Sequence, residues 1–308
     1  MRCAPVRRLC TRLGTALAAV FIAAAAAASP LAADANNLGI EAYNRGAFTE
    51  AIRQFERAYN TVPHNGTVRR NLCNAYQAHA NNLAQQADYQ RAVHFLELAI
   101  GADPENVSPL VQLGGYYLRL DMVPEAVFRL EEAIELTPGH LKAHELLGEA
   151  YYRDNDLPSA RAQWEYVLQM QPERADLRER YDKAFREEGV EGNFRQRESR
   201  HFKFSFTQAA SPSLKNRLVS ILERAYTEVG RQLGNVYPPG PIAVIVYGQG
   251  EFEEATQVRE HVGALYDGKI RLPITDPNGQ WLDEEELRRR ATHEYVHVVM
   301  RYMAGNNI

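Results

Sequence analysis

Small and large apolar residues recur at fixed distances before four prolines in the first part of the chain. Pro63, Pro104, Pro138 and Pro172 are separated by 41, 34 and 34 residues. An alanine stands twelve residues before each proline, and Phe, Leu, Leu or Trp stands eight residues before it. Small residues let two helices cross closely, large ones fill the gap between them, and proline ends the second helix. The pattern therefore predicts four helix pairs.

The second repeat is seven residues longer than each of the two repeats that follow it. The seven extra residues fall around residues 81–87. They either lengthen the first helix of the pair or form a longer exposed loop. We expect the loop. Residues 173–188 are charged apart from one apolar face, which predicts a helix that caps the last pair. Stacked pairs of this kind form a right-handed solenoid with a concave groove.

Two units also carry a Leu-Gly pair followed by tyrosine. Leu113-Gly114 precedes Tyr117, and Leu147-Gly148 precedes Tyr151. Together with the alanines and prolines, these residues resemble the tetratricopeptide repeat. The resemblance implies an all-α solenoid whose groove binds a peptide or a partner protein.

The pattern changes after residue 190. Glu187 to Arg200 is dense in charge and contains two glycines, which predicts a linker or hinge. His201–Phe206 alternates with period two, Leu214–Leu233 has helical periodicity, and Ile242–Tyr247 is a continuous apolar strand. Lys269–Leu272 is the third strand. The alternation of strands and helices predicts an α+β or α/β domain.

The last helix carries an HExxH motif. Asp283 and Glu286 form a capping box at its start, and His293, Glu294 and His297 follow. Two histidines four residues apart share one helical face and can bind one zinc ion, while the Glu beside the first can take a proton from a zinc-bound water. Apolar residues on nearly all other sides predict that this helix is buried.

These residues resemble the peptidase MA-like (gluzincin) domains of the zincin peptidases. In that family a strand like Gly263–Pro273 is an edge strand that pairs with an extended peptide substrate. The resemblance implies zinc as cofactor, His293 and His297 as metal ligands and Glu294 as general base, in a partial α+β zincin-like domain.

The third zinc ligand is missing from the sequence. The metzincin pattern needs Gly and His where Met300 and Met303 stand. The gluzincin ligand is a Glu on a following helix, and no acidic residue follows Glu294 before Ile308. Either the chain is a fragment of a longer protein or its peptidase domain is degenerate. We expect a fragment that is inactive as it stands.

The N-terminus has the features of a signal peptide. Four arginines precede the uncharged stretch Leu13–Ala28, which is shorter than the roughly 20 residues that span a bilayer. Its removal moves the formal charge from −4 to −8 and leaves Cys73 as the one cysteine. We expect an exported protein, periplasmic or secreted, with no stable membrane insertion. Without a basic stripe, nucleic acid is not expected as a partner.

Three segments follow from these observations. We assign residues 1–33 to a signal peptide, 34–189 to the repeats with their capping helix, and 190–308 to the partial peptidase-like domain. Two functions stay open. One is an exported zinc peptidase whose repeats bind protein substrates; the other is a non-catalytic adaptor that binds peptides or partner proteins in its groove.

Overall fold

Residues 30–191 form nine helices, and the predicted pairs within residues 30–61, 107–136 and 141–170 pack against each other. The computed structural model describes residues 30–258 and 264–304. The helices are α1 (Pro30–Asn44), α2 (Phe48–Thr61), α3 (Gly66–Gln85), α4 (Tyr89–Ala102), α5 (Val107–Arg119), α6 (Val123–Leu136), α7 (Leu141–Arg153), α8 (Leu157–Met170) and α9 (Ala175–Glu191). Helix α3 has 20 residues where α5 and α7 have 13 each. The extra residues therefore lengthen a helix, and the expected exposed loop is wrong.

The chain divides into two compact units. The first contains the residues up to 79 together with 101–103, and the second contains 80–100 and everything from 104 onwards. In the first unit, a Cβ added to Gly39 would lie only 2.6 Å from the ring of Phe55. Residues 1–29, most of the predicted signal peptide, lie outside the described residues. Helix α1 begins at Pro30, inside that predicted segment.

The second unit repeats the same close crossing in its helix pairs. A Cβ on Gly114 would lie 2.5 Å from Leu130, and one on Gly148 would lie 2.3 Å from the Trp164 indole. Each large side chain stands eight residues before a repeat proline, and both are at most 1% exposed. The predicted division between small residues at the crossing and large residues in the gap is confirmed.

A five-stranded sheet follows the helices. The elements are β1 (Arg195–Glu198), β2 (Phe202–Phe206), α10 (Pro212–Gln232), β3 (Ile242–Tyr247), α11 (Gln249–Thr256), β4 (Leu265–Tyr266), β5 (Ile270–Pro273) and α12 (Glu284–Met303). The spatial order is β1-β2-β3-β5-β4, with β2, β3 and β5 parallel and the two outer strands antiparallel to their neighbours. The three predicted strands are confirmed.

Strand β5 is not an edge strand. Leu265 pairs with Arg271, and Tyr266 pairs with Ile270, so the short strand β4 lies outside it. The edge strand expected within Gly263–Pro273 is the short strand β4, whereas Ile270 and Arg271 of β5 lie inside the sheet. Their backbone hydrogen-bonding groups are already used between β3 and β4.

Both faces of the sheet are covered. Phe202, Phe204 and Val244 point to one face, where they form the core with α10 and α12. Ile245 and Tyr247 point to the other face, which packs against α11 and receives Val190 from the end of α9. A strand covered on both faces is expected to be apolar throughout, and Arg271 of β5 departs from that rule.

The charged segment after residue 187 is not a linker over its whole length. Helix α9 continues to Glu191, Glu187 is 0% exposed and Glu191 is 6% exposed. The predicted hinge is wrong there, because those carboxylates are buried against the sheet. The domain boundaries at residues 33/34 and 189/190 stay predictions. Among the described helices, none has the length and apolarity needed to cross a bilayer.

The close helix crossing at Gly148 predicts a difference between two glycines of neighbouring repeats. Overpacking costs about 1–3 kcal/mol, whereas alanine gains about 1 kcal/mol over glycine inside a helix. We expect Gly148→Ala to lower the free energy of unfolding by up to about 2 kcal/mol. A Cβ on Gly115 would meet Leu146 at an ordinary 3.7 Å, so Gly115→Ala should leave that free energy unchanged or raise it. Urea unfolding measures both, and equal effects would contradict the packing described.

Candidate functional site

A groove of about 480 Å³ lies along α7 in the second unit. Lys142, Leu146 and Glu149 share the face of α7 that lines it, and Arg119 of α5 and Arg180 of α9 stand on either side. Leu146 is half-buried, so the middle of the groove offers apolar surface between charged side chains. Residues from three alternate helices, α5, α7 and α9, thus form one open, amphipathic surface.

The sheet also contributes to this groove. Asp267, in the turn between β4 and β5, lines it together with Lys183 of α9 and Tyr152 at the end of α7. The Lys183 Nζ donates to Asp267 Oδ2 at 2.7 Å. Burial opposes ionisation of Asp267, but Arg271 and Lys183 outweigh it and hold the pKa of this carboxyl well below its usual value. The groove is therefore built by both the repeats and the sheet.

Lys269 and Arg271 are buried cations that follow Asp267 in the chain. Both side chains are 0% exposed, and they point to the sheet face that α9 covers. The Lys269 Nζ lies 3.1 Å from Glu187 Oε2 and 2.7 Å from Asn155 Oδ1. Arg271 Nη2 lies 2.7 Å from Glu187 Oε1, and Nη1 donates to Glu191 Oε1 at 3.1 Å.

Two tyrosine hydroxyls complete this network of buried side chains. The Tyr152 hydroxyl donates to Glu187 Oε1 at 2.8 Å and accepts from Arg271 Nη2 at 3.1 Å. The Tyr247 hydroxyl donates to Glu191 and accepts from Arg271. Burial would raise the pKa of Glu187, but Lys269 and Arg271 outweigh it and keep that pKa below its ordinary value. Each buried charge thus has an opposite charge and hydrogen bonds, which burial requires.

The spacing of charged residues in the sequence contains a signal for this network. Lys269 and Arg271 alternate with apolar residues in a strand, so their side chains share one face. Glu187 and Glu191 stand four residues apart on a helix and also share one face. Two cations and two anions at matching spacings indicate a pairing between elements, although the partner of each cannot be assigned without the fold.

The HExxH residues lie on α12 with the predicted geometry. The Nε2 atoms of His293 and His297 are 3.2 Å apart, and both rings are exposed. Glu294 is 5% exposed, and burial raises the pKa of its carboxyl. The expectation of a helix buried on nearly all sides is wrong, because Met300 and Met303 are 49% and 57% exposed.

Two imidazole nitrogens lie close together on one helical face in this arrangement. Ring nitrogens that converge from one helical face fit the donor set of zinc, which also needs further ligands. Within residues 30–258 and 264–304, no group of three or more His, Cys, Asp or Glu side chains is placed to hold a metal ion. Glu286, earlier on the helix, is paired with Arg289 and Arg290. The described residues thus fit a zinc site in part.

Comparison with known proteins shows similarity to solved repeat structures. The first TPR of Spaghetti (RPAP3), solved with HSP90 peptide SRMEEVD, is 22% identical over 37% of this chain and 90% of that chain, with a TM-score of 0.36. MamA from Desulfovibrio magneticus RS-1 is 22% identical over 51% and 85%, with a TM-score of 0.40. The Arabidopsis OM64 TPR domain is 16% identical over 38% and 97%, with a TM-score of 0.37.

No protein-family model matches the chain. No match was found among curated proteins. The class of the helical part therefore rests on its own geometry: paired helices with a glycine crossing, a large apolar residue in the gap and a proline after each pair. These features define tetratricopeptide-like repeats.

The buried network predicts unequal effects at two adjacent glutamates of α9. Removing one partner of a buried ion pair costs about 3–5 kcal/mol, whereas an exposed pair contributes about 0–1 kcal/mol. We expect Glu187→Gln to lower the free energy of unfolding by about 3 kcal/mol at neutral pH. Glu188 pairs with Arg161 and its side chain is 31% exposed, so Glu188→Gln should cost less than about 1 kcal/mol.

Acid should remove the difference between these two variants. Because the pKa of Glu187 is lower in the folded than in the unfolded chain, its charge stabilises the fold above the ordinary value of 4.5. That contribution is lost as the pH falls through the folded pKa. Chemical denaturation at several pH values measures it. A constant difference between wild type and Glu187→Gln down to strongly acidic pH would contradict the assignment.

Proposed function

We propose that the protein binds an extended segment of a partner protein or peptide in the groove along α7. The observation that carries this proposal is the groove itself, in which half-buried Leu146 lies among charged side chains of three helices. Apolar contact with Leu146 would supply affinity, and the charged side chains would fix the position of the ligand. Repeat arrays present surfaces of this kind and carry no catalytic chemistry of their own.

The rigidity of the groove supports the same function. Arg153 at its edge donates to the Leu118 carbonyl at 2.7 Å and pairs with Asp121 and Glu149. Glu145 is held between Lys142 and Arg174. Side chains fixed before binding lose less conformational entropy when a ligand arrives.

A matched pair of leucine variants tests this function. Leu146→Arg places a long cation in the groove, whereas Leu136→Arg makes the same change at a 46% exposed position of α6 that does not line it. Peptides selected from a random displayed library on the wild-type protein should lose binding to Leu146→Arg and keep it with Leu136→Arg.

Folding of the variants is checked by thermal unfolding. Lys142→Glu provides a second groove variant at a side chain that is 55% exposed and can be replaced without disturbing the core. Selected peptides that bind all three variants as they bind the wild type would overturn the proposal, as would a library that yields no binder.

A second candidate function is that of a zinc-dependent peptidase acting on a peptide substrate. The observation that favours it is the 3.2 Å approach of the two Nε2 atoms on an exposed helical face, with Glu294 beside them. His293 and His297 would hold Zn²⁺, which supplies a bound water of lowered pKa and polarises a carbonyl group. A carboxylate oxygen of Glu294 would accept the proton of that water as general base. The described residues offer no third ligand, so we expect weak metal binding.

Zinc binding tests this second function without relying on activity. Equilibrium dialysis should show one weak site that is lost in His293→Gln and in His297→Gln and kept in His94→Gln, a histidine of α4. Equal zinc binding by all three variants would contradict it.

We also propose that the protein acts after export. The observations behind this are the basic start and the uncharged stretch that follows it, which are typical of a signal peptide over residues 1–33. The mature protein would then work in the periplasm or outside the cell.

A further inference from the structure

A cavity of about 340 Å³ lies between helices α10 and α12. We propose that it binds a small phosphate ester, whose phosphate group is held by Arg224 of α10 and Arg288 of α12. None of the residues that line this cavity lines the groove along α7. Its volume is at the lower end of the range of about 300–1,000 Å³ that is typical of small-molecule sites.

Helices α10 and α12 run side by side in the same direction. Near their N-terminal ends, Arg217 Nε lies 3.5 Å from Glu284 Oε2. Further along both helices, the ring centroids of Tyr226 and Tyr295 are 5.8 Å apart. Residues at similar distances beyond the first contact therefore stand opposite each other, on the two walls of the cavity.

Two arginines stand in the middle part of these walls. Since a helix rises about 1.5 Å per residue, Arg224 lies about 10 Å beyond Arg217 along α10. Arg288 lies about 6 Å beyond Glu284 along α12. Both side chains line the cavity and both residues are exposed. The two walls thus each contribute one guanidinium group.

Neither guanidinium group is engaged by a carboxylate. Glu228 follows Arg224 by four residues, and Glu284 precedes Arg288 by the same spacing, at which ion pairs often form on a helix surface. Within the described part of the chain, however, the two arginines make no ion pair and no side-chain hydrogen bond. Each guanidinium group therefore keeps its N–H donors for an added anion.

The remaining lining residues favour a phosphate ester. Thr292 is half-buried, and its hydroxyl makes no hydrogen bond to any described residue. The Ser220 hydroxyl, by contrast, already donates to the Asn216 carbonyl at 3.0 Å. Two guanidinium groups and one free hydroxyl match the three terminal oxygens of a phosphate monoester. Ile221 and Ala225 offer apolar surface to the organic part of the ester.

Three carboxylates of the cavity limit its affinity. Glu284 has Arg217 as its partner, whereas Glu228 and Glu285 have no cationic partner among the described residues. By the helical rise, Glu228 lies about 6 Å beyond Arg224, away from the middle of the cavity. Their repulsion predicts a dissociation constant of about 1 mM. It also predicts that removal of a carboxylate strengthens binding.

NMR titrations with phenyl phosphate and with inorganic phosphate test the proposal. They are run at constant ionic strength and about pH 8, where phosphate monoesters are dianions. We expect shifts of amides in α10 and α12, and phenyl phosphate should bind about threefold tighter than inorganic phosphate. Arg224→Gln and Arg288→Gln should each weaken both compounds about tenfold, and Thr292→Val about threefold.

Matched variants separate a specific site from general attraction between charges. Arg231→Gln of α10 and Arg289→Gln of α12 remove the same charge at positions that do not line the cavity, and they should leave the affinity unchanged. Glu228→Gln should tighten binding about threefold, which loss of structure would not do. Thermal unfolding checks that every variant folds.

Four results would overturn the proposal. They are equal losses in the control and cavity variants, shifts that do not map to α10 and α12, tighter binding of benzoate than of phenyl phosphate, and equal affinity for the two phosphate compounds. The third result would assign a carboxylate ligand, and the fourth would assign the free ion in place of an ester.

Discussion

Lys269, the residue before strand β5, and Arg271 within that strand are fully buried and are neutralised by Glu187 and Glu191 of helix α9. An unpaired buried charge costs several kcal/mol, so these four side chains can be buried together or not at all. Their pairing fixes the sheet against the capping helix of the repeats, although a charge-dense sequence of this kind is typical of a linker.

Strand β5 contacts the residues that support both candidate sites. On one face of β5, Arg271 holds Asp267, which in turn holds Lys183 at the groove. On the other face, Ile270 and Leu272 pack in the core that contains Tyr295 and Val299 of α12. The groove and the HExxH helix are therefore supported by opposite faces of a single strand. Residues of both the repeats and the segment before β5 line the groove.

Local patterns predicted most of the fold. The helix pairs followed from small residues, large residues and prolines at fixed spacing, because each repeat buries the same contacts. One feature depended on contacts between distant residues and was predicted wrongly: the hinge after Glu187. Sequence spacing placed His293 and His297 on one face of α12, but it gave no information on how exposed that face is. The groove could be predicted as a class of surface, whereas Asp267 in its wall could not, since it comes from another part of the chain.

Native-state hydrogen exchange tests the central claim, that buried ion pairs join β5 to α9 as one cooperative element. If they do, the slowest amides of Ile270–Leu272 and those around Glu187 open with the same free energy, and Glu187→Gln lowers both equally. If the β5 amides open at a distinctly lower free energy while α9 stays protected, the sheet moves independently of the repeats and the account is contradicted.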